Sequence, residues 1–107
     1  MIVTLPAPPP ARVQVVAREF SLTLSRQTIK AGTAIVELAN FGEDAHDLRL
    51  QRVGGTKVYG WPVAESGAVE DRTLRLVPGR YRLWCSIANH RARGMAAMLT
   101  VIRAAGS

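Results

Sequence analysis

One short segment of the chain concentrates side chains that bind soft metal ions. The stretch LWCSIANHRARGM, residues 83–95, contains the only cysteine, one of the two histidines and one of the three methionines. The other histidine lies far upstream, so a site that uses all these residues must be closed by the fold. One thiolate and two neutral imidazoles in a trigonal plane, with a distant thioether above it, suit copper that cycles between Cu(I) and Cu(II). The candidate ligands are His46, Cys85, His90 and either Met95 or Met98.

Other chemistry for the single thiol fits the sequence less well. Cys85 has no disulfide partner in the chain, which leaves a buried apolar residue, a nucleophile or a metal ligand. Zinc more usually draws two or more cysteines at short spacing. A cysteine protease would pair Cys85 with His90 as its base, but five positions apart in a tight loop they suit shared metal ligation better. Four protein ligands leave no open position for a substrate, so we expect no enzymatic activity.

Length and charge limit the class of protein further. A chain of 107 residues has room for one core, and no apolar run approaches the roughly 20 residues that cross a bilayer. No signal peptide is visible, although an exported protein in its mature form would lack one too. The net charge is +6, and 12 of the 14 basic residues are arginine, which suggests an anionic partner surface. No dense basic run is interleaved with aromatic residues, which disfavours nucleic-acid binding.

The remaining sequence predicts the elements that position these ligands. Residues 1–11 carry four of the six prolines and predict a flexible tail or tether, which leaves 12–107 as the domain. Period-two alternation predicts strands in RVQVVAR, EFSLTLS, TAIVELAN, AHDLRLQ, DRTLRLV, YRLWC and MAAMLTVIR. Residues 53–67 are rich in glycine and predict irregular structure with a short strand near KVYGW. Seven or eight short strands without a helical period predict an antiparallel β-sandwich.

The alternation also predicts where the candidate ligands point. In AHDLRLQ, His46 shares the apolar face with Leu48 and Leu50, whereas Asp47 lies on the opposite face. In YRLWC, Cys85 is the last inward residue of its strand. Both ligands are therefore expected inside the sandwich.

These segments together resemble a known family. The stretch PGRYRLWCSIANHRARGM, the upstream GEDAHDL and the opening AREFSLTLS with IKAGTAIVELAN are similar to cupredoxins of the plastocyanin and azurin type, over nearly all of 12–103. The resemblance implies an all-β, Greek-key antiparallel β-sandwich with one type 1 copper. It also implies that His46, Cys85 and His90 are equatorial ligands and Met95 the axial one, with Met98 in the core.

Three residues at two sites depart from the family pattern. Many cupredoxins have Pro-Gly before the loop histidine, where this chain has Ala88 and Asn89, and asparagine tolerates a left-handed backbone. The family often has Asn after the upstream histidine, where this chain has Asp47. We expect Asp47 to accept a hydrogen bond from Ser86 or a loop amide, so that Asp47, Ser86 and Asn89 orient the ligands.

The resemblance further implies a monomeric carrier of one electron in the periplasm or outside the cell. Electrons would pass through His90, and Arg91 and Arg93 beside it would steer an acidic redox partner. Residues 1–11 could tether the domain to a membrane. Trp61 and Trp84 are expected to be packing residues. Two alternatives stay open at this point: a copper storage or delivery module, and a structural sandwich without metal.

Overall fold

The fold consists of β-strands. The computed structural model describes residues 6–104; part of the predicted tail, residues 1–5, lies outside the described residues, as do residues 105–107. The strands are β1 (Ala11–Arg18), β2 (Ser21–Leu24), β3 (Thr28–Lys30), β4 (Gly32–Asn40), β5 (His46–Arg52), β6 (Val58–Ala64), β7 (Val69–Leu76), β8 (Gly79–Trp84) and β9 (Ala96–Ile102). Between residues 6 and 104 there is no helix that is long and apolar enough to span a membrane. The expected all-β class is confirmed.

The strands form two sheets that pack as a sandwich. One sheet has the order β2-β1-β4-β7 and the other β3-β9-β8-β5-β6. Most neighbours are antiparallel, but β1 pairs with β4 and β3 with β9 in parallel. Both sheets are therefore mixed instead of wholly antiparallel. The physical reason is that the chain leaves the first sheet for β3 and returns to it running in the same direction as β1.

The core lies between the sheets and follows the predicted alternation. On β1, for example, Val13, Val15 and Ala17 are buried, whereas the residues between them are partly exposed. Burial of each large aliphatic side chain stabilises the fold by about 1.5–3 kcal/mol. The other fully enclosed aliphatic side chains include Val36, Leu38, Leu48, Leu50, Leu76, Leu83 and Leu99.

Strand β6 is longer than the sequence pattern predicts. It spans seven residues and pairs with β5, where irregular structure with a short strand was expected. Gly60 and Pro62 are residues that usually argue against a strand. Pro62 is tolerated here because β6 is the edge of its sheet. Trp61 is 3% exposed, and its Nε1 donates to the Val36 carbonyl oxygen of the other sheet at 3.1 Å. Its expected role in packing is confirmed.

One end of the sandwich gathers the segments that carry the candidate ligands. The pairing of β5 with β8 brings the start of β5 close to the end of β8, and β9 begins opposite Trp84. The turn between β1 and β2 and the loop after β4 lie at the same end, because Ala17 is paired with Asn40 and Arg18 with Ser21. Distant parts of the chain therefore meet there.

Candidate metal centre

The cysteine lies immediately after β8. The strand ends at Trp84, one residue earlier than expected, so Cys85 belongs to the following loop instead of the strand. Its amide still donates to the Met95 carbonyl oxygen at 3.1 Å, which continues the pairing with the chain that enters β9. The side chain points inward as expected and is fully buried.

The loop from 85 to 95 folds back on itself and brings His90 close to the cysteine. The His90 amide donates to the Ile87 carbonyl oxygen, and the Met95 amide donates to the His90 carbonyl oxygen, both at 3.1 Å. These turns place His90 Nδ1 3.7 Å from Cys85 Sγ, and His90 is only 8% exposed. The loop is therefore a compact, hydrogen-bonded structure.

The upstream histidine completes the group. His46 begins β5 and is fully buried, and its Nδ1 lies 4.0 Å from Cys85 Sγ. The ligand atoms of His46, Cys85 and His90 all lie within 4.8 Å of one another. The convergence of these three residues, expected from their donor types and from the family resemblance, is present.

The spacing of the three ligand atoms fits a metal ion. Bonds of about 2.3 Å to sulfur and about 2.0 Å to nitrogen, set about 120° apart in a plane, separate sulfur from nitrogen by about 3.7 Å. The two sulfur to nitrogen separations are 3.7 Å and 4.0 Å. One thiolate with two imidazoles in this arrangement is the equatorial donor set of type 1 copper.

The two candidate thioethers differ clearly in their surroundings. Met95 is fully buried, and its backbone is hydrogen-bonded to both Cys85 and His90. Met98 lies on β9 opposite Arg82, is only partly buried, and belongs to the outer face of the sheet. The expectation that Met98 packs in the core was wrong, because the inward positions of β9 are the odd-numbered ones, such as Leu99.

Burial raises the pKa of the Cys85 thiol. Desolvation is the largest cause, and hydrogen bonds from the backbone of Asp47 and Ile87 oppose it by lowering the pKa. The negative charge of Asp47 raises the pKa further. The thiol is therefore protonated at neutral pH in the metal-free protein. A metal ion that binds there must displace this proton.

Asp47 joins the two segments that carry the ligands. Its Oδ1 accepts a hydrogen bond from the Ser86 amide at 2.6 Å, and its Oδ2 accepts one from the Ser86 hydroxyl. Arg49 lies 3.4 Å from the same carboxylate. The hydrogen bond expected from the sequence is present, and it ties the residue after His46 to the residue after Cys85. Asp47 is only 3% exposed, so strict alternation of buried and exposed residues fails at the start of β5, where the pairing register shifts.

The turn before the loop histidine differs from the expectation. Ala88, not Asn89, adopts the left-handed backbone, with φ at +46°. Asn89 is exposed, and its carbonyl oxygen accepts a hydrogen bond from the Arg93 amide at 3.1 Å. Asparagine at 89 is therefore not what makes this turn possible, since the strained residue precedes it.

The sequence did not reveal the role of Glu19. Its carboxylate accepts a hydrogen bond from His46 Nε2 at 2.5 Å and another from the Glu43 amide at 2.5 Å. These hydrogen bonds, the Glu43 amide first and His46 second, lower the pKa of the Glu19 carboxyl. Glu19 lies in the turn after β1, far from both ligand segments in sequence, and only its proximity to a strand end could have drawn attention to it.

Aromatic rings cover the exposed side of the ligand loop. The Phe20 ring packs on the His90 ring, with centroids 5.0 Å apart, and the Arg93 guanidinium lies 3.9 Å from the Phe20 centroid. Arg91 lies in the same way over Trp84, at 4.4 Å. The two arginines are exposed at the site end of the sandwich and are held by the rings beneath them.

Structural comparison finds relatives that sequence comparison does not. No protein-family model matches the chain, and no curated protein matches it either. Reduced auracyanin from the photosynthetic bacterium Roseiflexus castenholzii is similar with a TM-score of 0.70 at 16% identity, over 86% of this chain and 97% of that chain. Auracyanin A, a "blue" copper protein from Chloroflexus aurantiacus, is similar with a TM-score of 0.68 at 13% identity, over 88% of this chain and 100% of that chain.

A larger protein shares the same architecture in part. A multicopper oxidase gives a TM-score of 0.68 at 13% identity, over 89% of this chain, and this chain spans 45% of the oxidase. Taken together, these similarities show that the chain has the cupredoxin fold. The resemblance noted in the sequence is confirmed at the level of the fold.

Proposed function

We propose that this protein is a type 1 copper protein that carries one electron between redox partners. The observation that carries the proposal is the convergence of one thiol and two imidazoles, all buried, within 4.8 Å. Buried polar groups of this kind are costly unless they are paired, and a shared metal ion pairs all three. The similarity to a blue copper protein of the same fold supports the choice of copper.

In the proposed site one copper ion would be held by His46, Cys85, His90 and Met95. A bound copper ion would accept one electron as Cu(II) and release it as Cu(I). The protein's part is to hold its ligands in one geometry for both states, so that little rearrangement opposes electron transfer. The Asp47 to Ser86 hydrogen bonds and the turns within the loop support that rigidity.

The proposed path for electrons runs through His90. Its ring is 8% exposed and in contact with Phe20, so the way to the surface includes the Phe20 ring. Arg93 on that ring and Arg91 on Trp84 present positive charge around the exit. We propose that an acidic surface of a redox partner docks on these arginines, because complementary charge speeds encounter and orients the partner.

The proposal also covers enzymatic activity, oligomeric state and cellular location. Four protein ligands leave no open position for a substrate, and two histidines in all cannot form the His-x-His pairs of a three-copper cluster, so we propose no enzymatic activity. We propose a monomer in the periplasm or outside the cell. We propose that the proline-rich segment before β1 acts as a tether.

The test is a titration of the metal-free protein with Cu(II), followed by visible spectroscopy. We expect an intense thiolate-to-copper charge-transfer band that saturates at one copper per chain and is absent from Cys85→Ser. An Ala92→Ser variant is the matched control, since it introduces the same hydroxyl at an exposed position of the loop but keeps the thiol. Absence of the band in the unaltered protein would refute the proposal.

Electron exchange separates a carrier from the alternatives. The copper-loaded protein should be bleached by one equivalent of reductant and recover its colour with one equivalent of oxidant, through many cycles without loss of metal. A storage or delivery module would instead release copper to an acceptor and exchange electrons poorly. A structural sandwich would show no change in thermal stability when copper is added.

A further inference from the structure

The two ring nitrogens of His46 face different partners. Nδ1 lies 4.0 Å from the Cys85 sulfur, whereas Nε2 lies 2.5 Å from a Glu19 carboxylate oxygen. A carboxylate only accepts hydrogen bonds, so Nε2 must carry the proton. The lone pair of the neutral imidazole is then on Nδ1, the nitrogen that faces the thiol and His90.

Glu19 is held in place by a second segment of the chain. The same carboxylate accepts the Glu43 amide at 2.5 Å, and the side chain as a whole is 25% exposed. A Cβ at position 42 would collide with the carboxylate, so Gly42 provides the space that it occupies. The buried Asn40 side chain holds this loop, because it donates to the Asp44 and Ala64 carbonyl oxygens and accepts the Gly42 amide.

This arrangement differs from a surface ion pair in what it constrains. Exposed carboxylates usually contact flexible basic side chains, and such pairs have little effect on stability. Glu19 instead contacts a fully buried ring and a backbone amide, and neither of these groups can move away freely.

We propose that Glu19 is a positioning residue for the metal site: it fixes the His46 tautomer, and its negative charge favours Cu(II) over Cu(I). The inference rests on the proposed copper function. An anion that accepts the other N–H of a ligand imidazole makes that ligand more basic and orients its ring. The more positively charged metal state benefits more from the nearby anion, so the carboxylate lowers the reduction potential.

The first experiment compares the reduction potentials of Glu19→Gln and Glu43→Gln with that of the unaltered protein, using the visible band as the readout. Glu19→Gln keeps the shape and an acceptor oxygen but removes the charge. Glu43→Gln removes the same charge from the adjacent loop, where only the backbone contacts Glu19. We expect Glu19→Gln to weaken Cu(II) binding about tenfold. At unchanged Cu(I) affinity, this tenfold change is a rise in potential of about 59 mV.

Each outcome of that comparison has one meaning. A higher potential in Glu19→Gln, with Glu43→Gln close to the unaltered protein, supports the inference. Equal shifts in both variants, or no shift in either, would overturn it while the band in the unaltered protein keeps the copper function intact. A missing band in the unaltered protein would instead overturn the proposed function and this inference together.

A second measurement does not depend on copper or on the folding of any variant. Nitrogen-15 NMR of the unaltered, metal-free protein in mildly alkaline buffer reports which imidazole nitrogen carries the proton. We expect His46 to be protonated on Nε2, the nitrogen that faces Glu19. Protonation of His46 on Nδ1 alone would show that the carboxylate does not set the tautomer.

Discussion

Gly94 allows the ligand loop to lie directly on the turn that carries Glu19 and Phe20. Its φ is +127°, and a Cβ at this position would lie 2.7 Å from the Phe20 carbonyl oxygen. The change Gly94→Ala therefore adds backbone strain of about 1–3 kcal/mol. It also adds a steric overlap with the backbone that costs about another 1–3 kcal/mol. We expect the free energy of unfolding to fall by the sum of both effects.

The matched control is Gly67→Ala. Gly67 also has a positive φ, +81°, but a Cβ there would meet nothing within 4 Å. This variant should lose only the strain contribution of about 1–3 kcal/mol. The difference between the two variants then isolates the contact between the loop and the turn.

Urea unfolding of the metal-free variants measures both losses on one scale. In copper-loaded samples, Gly94→Ala should also alter the charge-transfer band, because the displaced loop carries His90, whereas Gly67→Ala should leave the band unchanged. Equal losses of stability in the two variants would refute the idea that the loop and the turn are in close contact.

Two further substitutions test local strain and charge. Ala88→Gly should stabilise the protein by up to about 1 kcal/mol, because glycine relieves the left-handed φ of +46°, whereas Ala96→Gly within β9 should destabilise it. Asp71 lies opposite Glu37 on paired strands, and its pKa is raised, first by desolvation and then by the Glu37 charge. Because the pKa of Asp71 is raised on folding, its protonated form stabilises the fold. This stabilisation is fully present below the unfolded pKa of 3.8 and is lost as the pH rises through the folded pKa. Asp71→Asn should therefore raise the free energy of unfolding by about 0.2–1 kcal/mol at neutral pH, but not in acid, in urea titrations at both pH values. A loss of stability at neutral pH would contradict this reasoning, and Glu70→Gln, one residue away, should have a smaller effect.

Local patterns were sufficient to predict much of the fold and the ligand group. Alternation identified β1, β4, β5 and β8 because most of their inward positions are apolar. The spacing of Cys85, His90 and Met95, read with the distant His46, predicted the cluster of His46, Cys85 and His90 because metal binding demands particular donor types. Neither inference required knowledge of strand pairing.

Features that depend on long-range packing could not be predicted in this way. Glu19 has no pattern around it, and its contacts with His46 and the Glu43 amide arise only because the turn after β1 lies beside the loop after β4. The left-handed Ala88 is contrary to residue preference, since the loop constrains its backbone. The parallel pairs follow from the order in which the chain visits the two sheets. Pro62 in β6 becomes acceptable only once β6 is known to be an edge strand.

The parallel pairing of β1 with β4 has a consequence for how the protein is made. Ala11 pairs with Ala34, so β1 and β4 can pair only after the chain has passed through β2 and β3. Pairings between segments so far apart in sequence slow the folding of β-sandwiches to milliseconds or longer. The candidate donors His46, Cys85 and His90 likewise lie in separate segments, and they converge only once β5 has paired with β8.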